Sequence, residues 1–224
     1  MKIYYFIFLI LFFSCGHSNK APPKIVNGFL DLSKWDFNRD GPINLEGKWK
    51  FYWKKRIDPG KFKKNHPDGV FLKMPGGWKI APYGFATFAV TIKLPDGDYS
   101  IRNSKPSNSA ARGFLVNQQS VMEIFKAGVV GVEENEIPQN KKGLFEFRAF
   151  GEVTLVYHVS NYHYREGKLG DIILGKKQMM VKDYQNILMR DFFSIGILLI
   201  IGIYHFGLGT QRKGDHGVLF FGLF

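Results

Sequence analysis

The residues able to do chemistry in this 224-residue chain are few, and their types favour recognition over reaction. Trp35, Trp78 and Tyr83 stand beside Gly, Pro or polar residues at the predicted ends of strands, where an open ring can stack on the face of a sugar. Arg112, Asn161 and His163 carry the directional donors and acceptors that fix hydroxyl groups around such an apolar platform. Burial is the alternative state for the rings, and solvated loop or edge positions for the polar three. Glycoside hydrolysis needs two carboxylates held a set distance apart, and no acidic pair here has a recognisable context. His158 and His163 are separated by an odd number of residues, so a continuing strand sends them to opposite faces, and no third ligand is near in sequence. A GxxxxGK(S/T) phosphate loop and a Ser, His and Asp arrangement are missing as well. The reading is a binder rather than an enzyme, with no metal and no cofactor.

Something must position those residues, and the composition allows a substantial core. Hydrophobic residues make up 45% of the chain, aromatics 16% and charged residues 22%, which excludes a disordered tail. The single cysteine excludes an intrachain disulfide and a cysteine-rich zinc site. From Asn27 to Gly175 short alternating runs are separated by Gly, Pro, Asn and Asp, the pattern of many strands and tight turns. In Phe85–Leu94, Ala86, Phe88, Val90, Ile92 and Leu94 share one face, and Pro95-Asp96-Gly97 is expected to turn the chain. Trp49, Phe51 and Trp53 repeat the alternation, as do Val153, Leu155, Tyr157 and Val159. Further strands are expected around Tyr99–Arg102, Gly113–Val116, Leu144–Ala149 and Asp171–Leu174. About eight such strands fit an all-β jelly roll of two packed antiparallel sheets.

Both ends point to a membrane. Residues 1–15 carry Lys2 and an apolar run from Ile3 to Phe13, too short to span and right for an export signal. The run stops at Ser14-Cys15, which resembles a lipobox, so Cys15 is the candidate lipidated N-terminus; an ordinary thiol is the alternative. Residues 16–26 read as a polar tether, and 176–191 as a juxtamembrane helix with Met180, Tyr184, Ile187 and Leu188 on one stripe. Residues 192–210 have the length and apolarity of a transmembrane helix. Arg212 and Lys213 follow it and place that end in the cytoplasm, with residues 16–191 outside the bacterial inner membrane. Residues 218–224 read as the start of a truncated second helix. The formal net charge of +12 suggests envelope polymers and lipid headgroups as partners, not nucleic acid, in an exported domain. Its cations concentrate between Lys48 and Lys64, where a solvated loop is the expected state and an electrostatic face toward an anionic membrane or an acidic glycan is the alternative.

The succession of LEGKWKFYW (Leu45–Trp53), MPGGW (Met74–Trp78), YGFATFAVTIKLP (Tyr83–Pro95), SAARGFLVN (Ser109–Asn117) and VYHVSNYHYREGKLGDIILG (Val156–Gly175) resembles the galactose-binding-like jelly roll, as in the sugar-binding domain of family 2 glycosidases. The segment Phe192–Phe224 resembles the first helix and second-helix start of the bacterial seven-transmembrane receptors with diverse intracellular signalling modules. That resemblance implies a sensory domain outside the membrane, a carbohydrate or related small-molecule ligand, and a homodimer contact through the membrane region. The family's Asn-Gly turn is replaced by Asn117-Gln118-Gln119, where a longer turn is expected. A tethered lipoprotein that binds envelope polymer or a protein without signalling is the second reading, and a glycosidase accessory domain the third.

Overall fold

A computed structural model describes residues 20–63, 66–103, 110–132, 135–139, 141, 143–165 and 167–211. The export signal, Cys15, the Arg212-Lys213 pair and the run 218–224 lie outside the described residues. In chain order the elements are β1 (Phe29–Asp31), α1 (Phe37–Asp40), β2 (Ile43–Asn44), β3 (Gly47–Trp53), a 3-10 turn (Pro59–Lys63), β4 (Val70–Met74), β5 (Gly76–Gly77) and β6 (Gly84–Asn103). Then come β7 (Ala110–Val116), β8 (Val121–Ala127), β9 (Gly143–Asn161), β10 (Lys168–Leu169), β11 (Ile172–Lys176) and α2 (Lys177–Gln211).

The organising feature is the ribbon of β6 and β9, which pair antiparallel from Gly84 opposite Asn161 to Asn103 opposite Gly143. The expected turn at Pro95-Asp96-Gly97 does not separate two strands. Pro95 and Asp96 oppose the single residue Phe150, so the ribbon bulges and bends while the pairing resumes on the far side. Pro95 has no N–H to leave unpaired, which suits it to a bulge. The Tyr99 hydroxyl donates to the Pro95 carbonyl at 2.9 Å, and the Gly151 N–H donates to the Asp96 carboxylate at 3.1 Å. Gly151 itself holds a φ of 72°, a conformation that costs a residue with a Cβ.

On one side of the bend, β6 and β9 join β3, β4, β7 and β8, with β1 pairing in parallel along β6. On the other side they join β11 and, beyond it, β2. Phe88, Ile92, Leu115, Leu155 and Tyr157 of the first layer close against Tyr99, Ile101, Phe147, Leu174 and Ile43 of the second in one core. The result is an all-β jelly-roll sandwich followed by a helix. The core begins earlier than the expected domain boundary: Ile25, placed by the sequence in the tether, is 2% exposed and pairs with Gly47. Asn117–Ser120 form the longer turn, in which the Asn117 carboxamide oxygen accepts from the N–H groups of Gln119 and Ser120.

The sandwich has two distinct ends. Gly84, Asn161 and Ala110 mark the end of the first layer farthest from the bend, and β6 returns there at Asn103, which shares a small cavity with Ala111, Phe125 and Ala127. β11 runs the other way, from Ile172 opposite Asn103 to Lys176 opposite Tyr99, so α2 departs at the bend. Its first turns are docked: Met180 is fully buried against Gly175, Lys177 pairs with Glu146 at 2.6 Å, and Arg102 pairs with Asp183 at 2.7 Å. Beyond them the helix is unbroken across the expected boundary at Phe192. Lys177–Gly209 is long and apolar enough to cross a membrane, and with 6% of its apolar window buried it is not a core helix.

The basic segment after β3 keeps its cations in solvent, as expected, but is fastened to the sheet by two apolar residues. Phe62 and Ile57 cover Tyr52, Ala89, Phe114, Val116 and Val156 on the outer face of the first layer. Three buried polar groups pin this flap. Thr87 donates to the Lys55 carbonyl at 2.7 Å and accepts from Ile57 N–H at 3.1 Å, and the His158 Nε2 atom lies 2.7 Å from the Ile57 carbonyl. The Tyr52 hydroxyl donates to the Pro67 carbonyl at 2.7 Å.

That geometry fixes the His158 tautomer, since a carbonyl partner requires Nε2–H, and it leaves Nδ1 buried without a partner. Burial holds this imidazole below its ordinary value, opposed by the hydrogen bond to Ile57 and reinforced by the charges of Arg56 and Arg112. The unfolded chain therefore binds the proton first as pH falls. Stability is full above the unfolded value of about 6.5 and declines below it, until the folded-state value is reached. Urea unfolding followed by tryptophan fluorescence in detergent will show a lower midpoint at pH 5.5 than at pH 7.5. His158→Gln will flatten that difference and leave the share that belongs to His66, which burial also lowers. Tyr157, whose hydroxyl is buried beside Trp49 and Phe125 with no partner, yields a second outcome. Tyr157→Phe will leave the midpoint unchanged or raise it, whereas Leu155→Ala in the same strand will cost about 2–5 kcal/mol.

Candidate functional site

Three connections meet at the end of the sandwich away from the bend where the helix starts: residues 78–83 before β6, 128–132 and 135–137 after β8, and 162–165 and 167 after β9. Their meeting is built from hydrogen bonds. The Asn161 amide donates to the carbonyls of Pro82 at 2.8 Å and Tyr164 at 2.7 Å, tying the first connection to the third. Ser160 accepts from Gly131 N–H at 3.1 Å, and the Tyr162 hydroxyl donates to the Val132 carbonyl, tying the second to the third. Beneath them Glu136 is 4% exposed; its Oε1 accepts from Tyr162 N–H at 3.3 Å and lies 3.2 Å from His163 Nδ1, while its Oε2 is buried without a partner.

The six residues singled out by type do not all gather here. Tyr83 does, with half of its surface open, and so does His163, resting on Glu136 with its outer edge exposed. Asn161 is at this end but fully buried, so it braces the loops instead of meeting a ligand. Trp78 is also a correction. Its ring is 1% exposed and packs with Phe51, Trp53 and Phe88, its Nε1–H donates to the Ala81 carbonyl at 3.0 Å, and a Cβ on Gly167 would collide with it. A side chain this large is worth more buried in a rigid aromatic cluster than left open, and the glycine beside it makes the space. Trp35 is corrected for the same reason: it is 6% exposed, sits with α1 toward the bend, and donates from Nε1 to the Gly41 carbonyl at 3.0 Å. Arg112 lies elsewhere, on the outer face of β7, where a two-point pairing with Glu123 at 2.6 and 3.1 Å holds it over the Phe114 ring. That hydrogen bond holds the Glu123 carboxyl below its usual range.

Sequence reasoning missed the neighbours of Tyr83. Lys79, Ile80, Ala81, Pro82 and Arg165 line an open groove of about 330 Å³ floored by Trp78. Ile80 and Tyr164 expose 58% and 43% of their surface beside it. The density of rings and cations in Asn161-Tyr162-His163-Tyr164-Arg165 is the signal that could have extended the reading from Asn161 and His163 to Tyr164 and Arg165. Among the described residues no group of three His, Cys, Asp or Glu is close enough to hold a metal ion. The arrangement offers flat apolar faces, two cations and an imidazole on a braced frame, which suits binding.

No protein-family model matches the chain, and no curated protein matches it. Among solved structures it is similar to part of the GH2 beta-galacturonidase from Eisenbergiella tayi, with 11% identity over 60% of this chain and 24% of that one, at a TM-score of 0.40. Beta-glucuronidase 2 from Bacteroides uniformis gives 12% identity over 59% of this chain and 17% of that one, at a TM-score of 0.43. TmCBM61, solved in complex with beta-1,4-galactotriose, gives 12% identity over 57% of this chain and 84% of that one, at a TM-score of 0.28. The chain thus spans about a quarter or less of the two enzymes it is similar to.

Proposed function

We propose that this chain is the membrane-anchored sensory region of a signalling receptor, binding a carbohydrate at the end of its sandwich opposite the helix and passing occupancy to that helix. The observation that carries the reading is the pairing of a braced, ring-bearing rim at one end with a docked, unbroken apolar helix at the other. Tyr83 and Tyr164 present open phenol rings at the rim, and stacking a sugar face on an aromatic needs no charge on the ligand. His163, Lys79 and Arg165 supply hydrogen bonds to hydroxyl groups around them. Anchoring by α2 leaves the sandwich beside one membrane face, and the Arg212-Lys213 pair that follows the helix in sequence favours the face outside the cytoplasm.

Signalling follows from the docking of α2. A helix free of the sandwich would be a tether, but Met180, Lys177–Glu146 and Arg102–Asp183 fix its first two turns to the second layer. Displacement of that layer therefore rotates or tilts the helix instead of being absorbed by a flexible joint. A tethered module without signalling would not need this contact.

The full chain in zwitterionic nanodiscs, titrated with a panel of neutral and acidic oligosaccharides, is expected to bind at least one of them. Tyr83→Ala and Tyr164→Ala will each weaken that binding about 2–10-fold, as loss of a stacking contact of about 0.5–1.5 kcal/mol implies, without moving the unfolding midpoint. Asn161→Ala will lower both affinity and stability, because buried carbonyls left unmade cost about 1–3 kcal/mol each. Bound saccharide will change hydrogen exchange in residues 177–184, and Arg102→Ala combined with Lys177→Ala will abolish the change while sparing affinity. Failure of every saccharide to bind sinks the proposal; binding with no effect on the helix leaves a tethered binder.

A further inference from the structure

A second surface, away from the distal rim, combines open rings with uncompensated cations. The outward faces of β1, β3 and β4 carry Phe29 and Phe71, 40% and 45% exposed, among Lys48, Lys50 and Lys73. Lys48 stands directly opposite Lys73 across the β3–β4 pair, and Lys50 opposite Phe71. Like charges facing each other in a sheet are destabilising, so the fold carries a local cost that a bound anion would relieve. β1 joins this face through Gly28, whose N–H donates to the Lys48 carbonyl at 2.7 Å and which rests against the Lys50 stem. Each nearby acid has a partner of its own: Asp31 accepts from the N–H and hydroxyl of Ser33, Glu46 accepts from the Asn44 amide, and Glu152 faces Lys93 across the β6–β9 pair. The packed flap adds exposed Lys54, Lys55, Arg56 and Lys61 along one border. His66 lies within reach of this face: burial lowers it, the charge of Lys50 lowers it further, and the charge of Glu152 opposes both.

We infer that this face is a docking surface for an acidic polysaccharide, with its carboxylates against Lys48, Lys50 and Lys73 and its sugar rings over Phe29 and Phe71. The spacing suits a chain of repeating anions. Lysines two apart on β3 are about 6.6 Å from one another and those across to β4 about 4.8 Å, so cations recur at the scale of successive sugar units beside flat apolar faces. The face runs along the strands, parallel to the axis from the distal rim to the bend. Recurrent cations beside flat apolar rings complement a polymer whose units each carry a carboxylate and a sugar face, which favours an acidic polysaccharide. This surface is independent of the distal rim and does not rest on the carbohydrate reading of that site.

The test uses the full chain in zwitterionic nanodiscs with polygalacturonate as probe and neutral galactan of matched length as control. Polygalacturonate will bind, more weakly as salt rises, and galactan will not bind here. Lys48→Glu combined with Lys73→Glu will weaken polygalacturonate binding at least tenfold, and the milder pair Lys48→Gln with Lys73→Gln several-fold. Phe71→Ala will weaken it at unchanged net charge. Lys141→Glu combined with Lys182→Glu makes the same change in net charge away from this face and will leave affinity within twofold. Equal loss in that control means the overall charge is responsible and overturns the assignment. Binding that survives the Lys48 and Lys73 variants overturns it as well. Loss of polymer binding when anionic phosphatidylglycerol replaces the disc lipids would give the face to the bilayer instead.

Discussion

The long pairing of β6 with β9, broken only by the bulge at Pro95-Asp96, is the constraint from which the rest of the molecule hangs. Backbone N–H and C=O groups in a core must find partners, and these two strands give theirs to each other on both sides of the bend. Because the same two strands contribute to both layers, the layers cannot slide apart without breaking the ribbon. The bend is therefore not a hinge. It is fastened by Tyr99 to Pro95 and by Gly151 to Asp96, and its two sides share one hydrophobic core. The loops of the distal rim grow from one extremity of this ribbon, and the helix departs beside its corner.

The aromatic side chains divide into two groups by what surrounds them. Phe51, Trp53, Trp78 and Phe88 form a continuous cluster with ring centroids 5.0–6.5 Å apart, which fixes the segment leading to the rim. Tyr83 and Tyr164, a few residues beyond strand ends, stay open because the backbone there is held by Asn161 and Glu136 instead of by their own burial. A buried amide and a buried carboxylate cost free energy unless they are hydrogen-bonded. Here each braces more than one loop while retaining an oxygen without a partner. The rim is thereby ordered without using its exposed rings as structural material, and those rings remain available.

Much of the sandwich was legible in the alternation of Phe85–Leu94, Trp49–Trp53 and Val153–Val159, since period-two burial is set by the pleat and is visible without tertiary context. What local reading could not see was pairing. Pro95-Asp96-Gly97 has the composition of a turn, and whether it turns or bulges depends on a partner strand more than fifty residues away. The same limit explains Trp35 and Trp78, whose flanking Gly and Pro residues mark tight backbone but say nothing about the second layer that covers the ring. Conversely the basic flap looked solvated because lysines dominate it, although Phe62 and Ile57 alternate with them and supply the anchor. The short edge strands β1 and β4 and the strand β8 went unseen because each takes its stability from a neighbour and not from its own pattern.

The helix adds a consequence that follows from where it is fixed. α2 touches β6, β9 and β11 but is held chiefly by the second layer, through Met180 under Gly175 and the Arg102–Asp183 pair. The flap and the basic face belong to the first layer. Of the rim connections, the one after β9 leads from the first layer to β10 and β11, so the rim is continuous in sequence with the layer that carries the helix. A polymer along β3 and β4 grips the layer that does not carry the helix. The two proposed surfaces thus stand differently toward α2: the rim includes the connection that leads to the layer carrying the helix, whereas the basic face lies on the other layer.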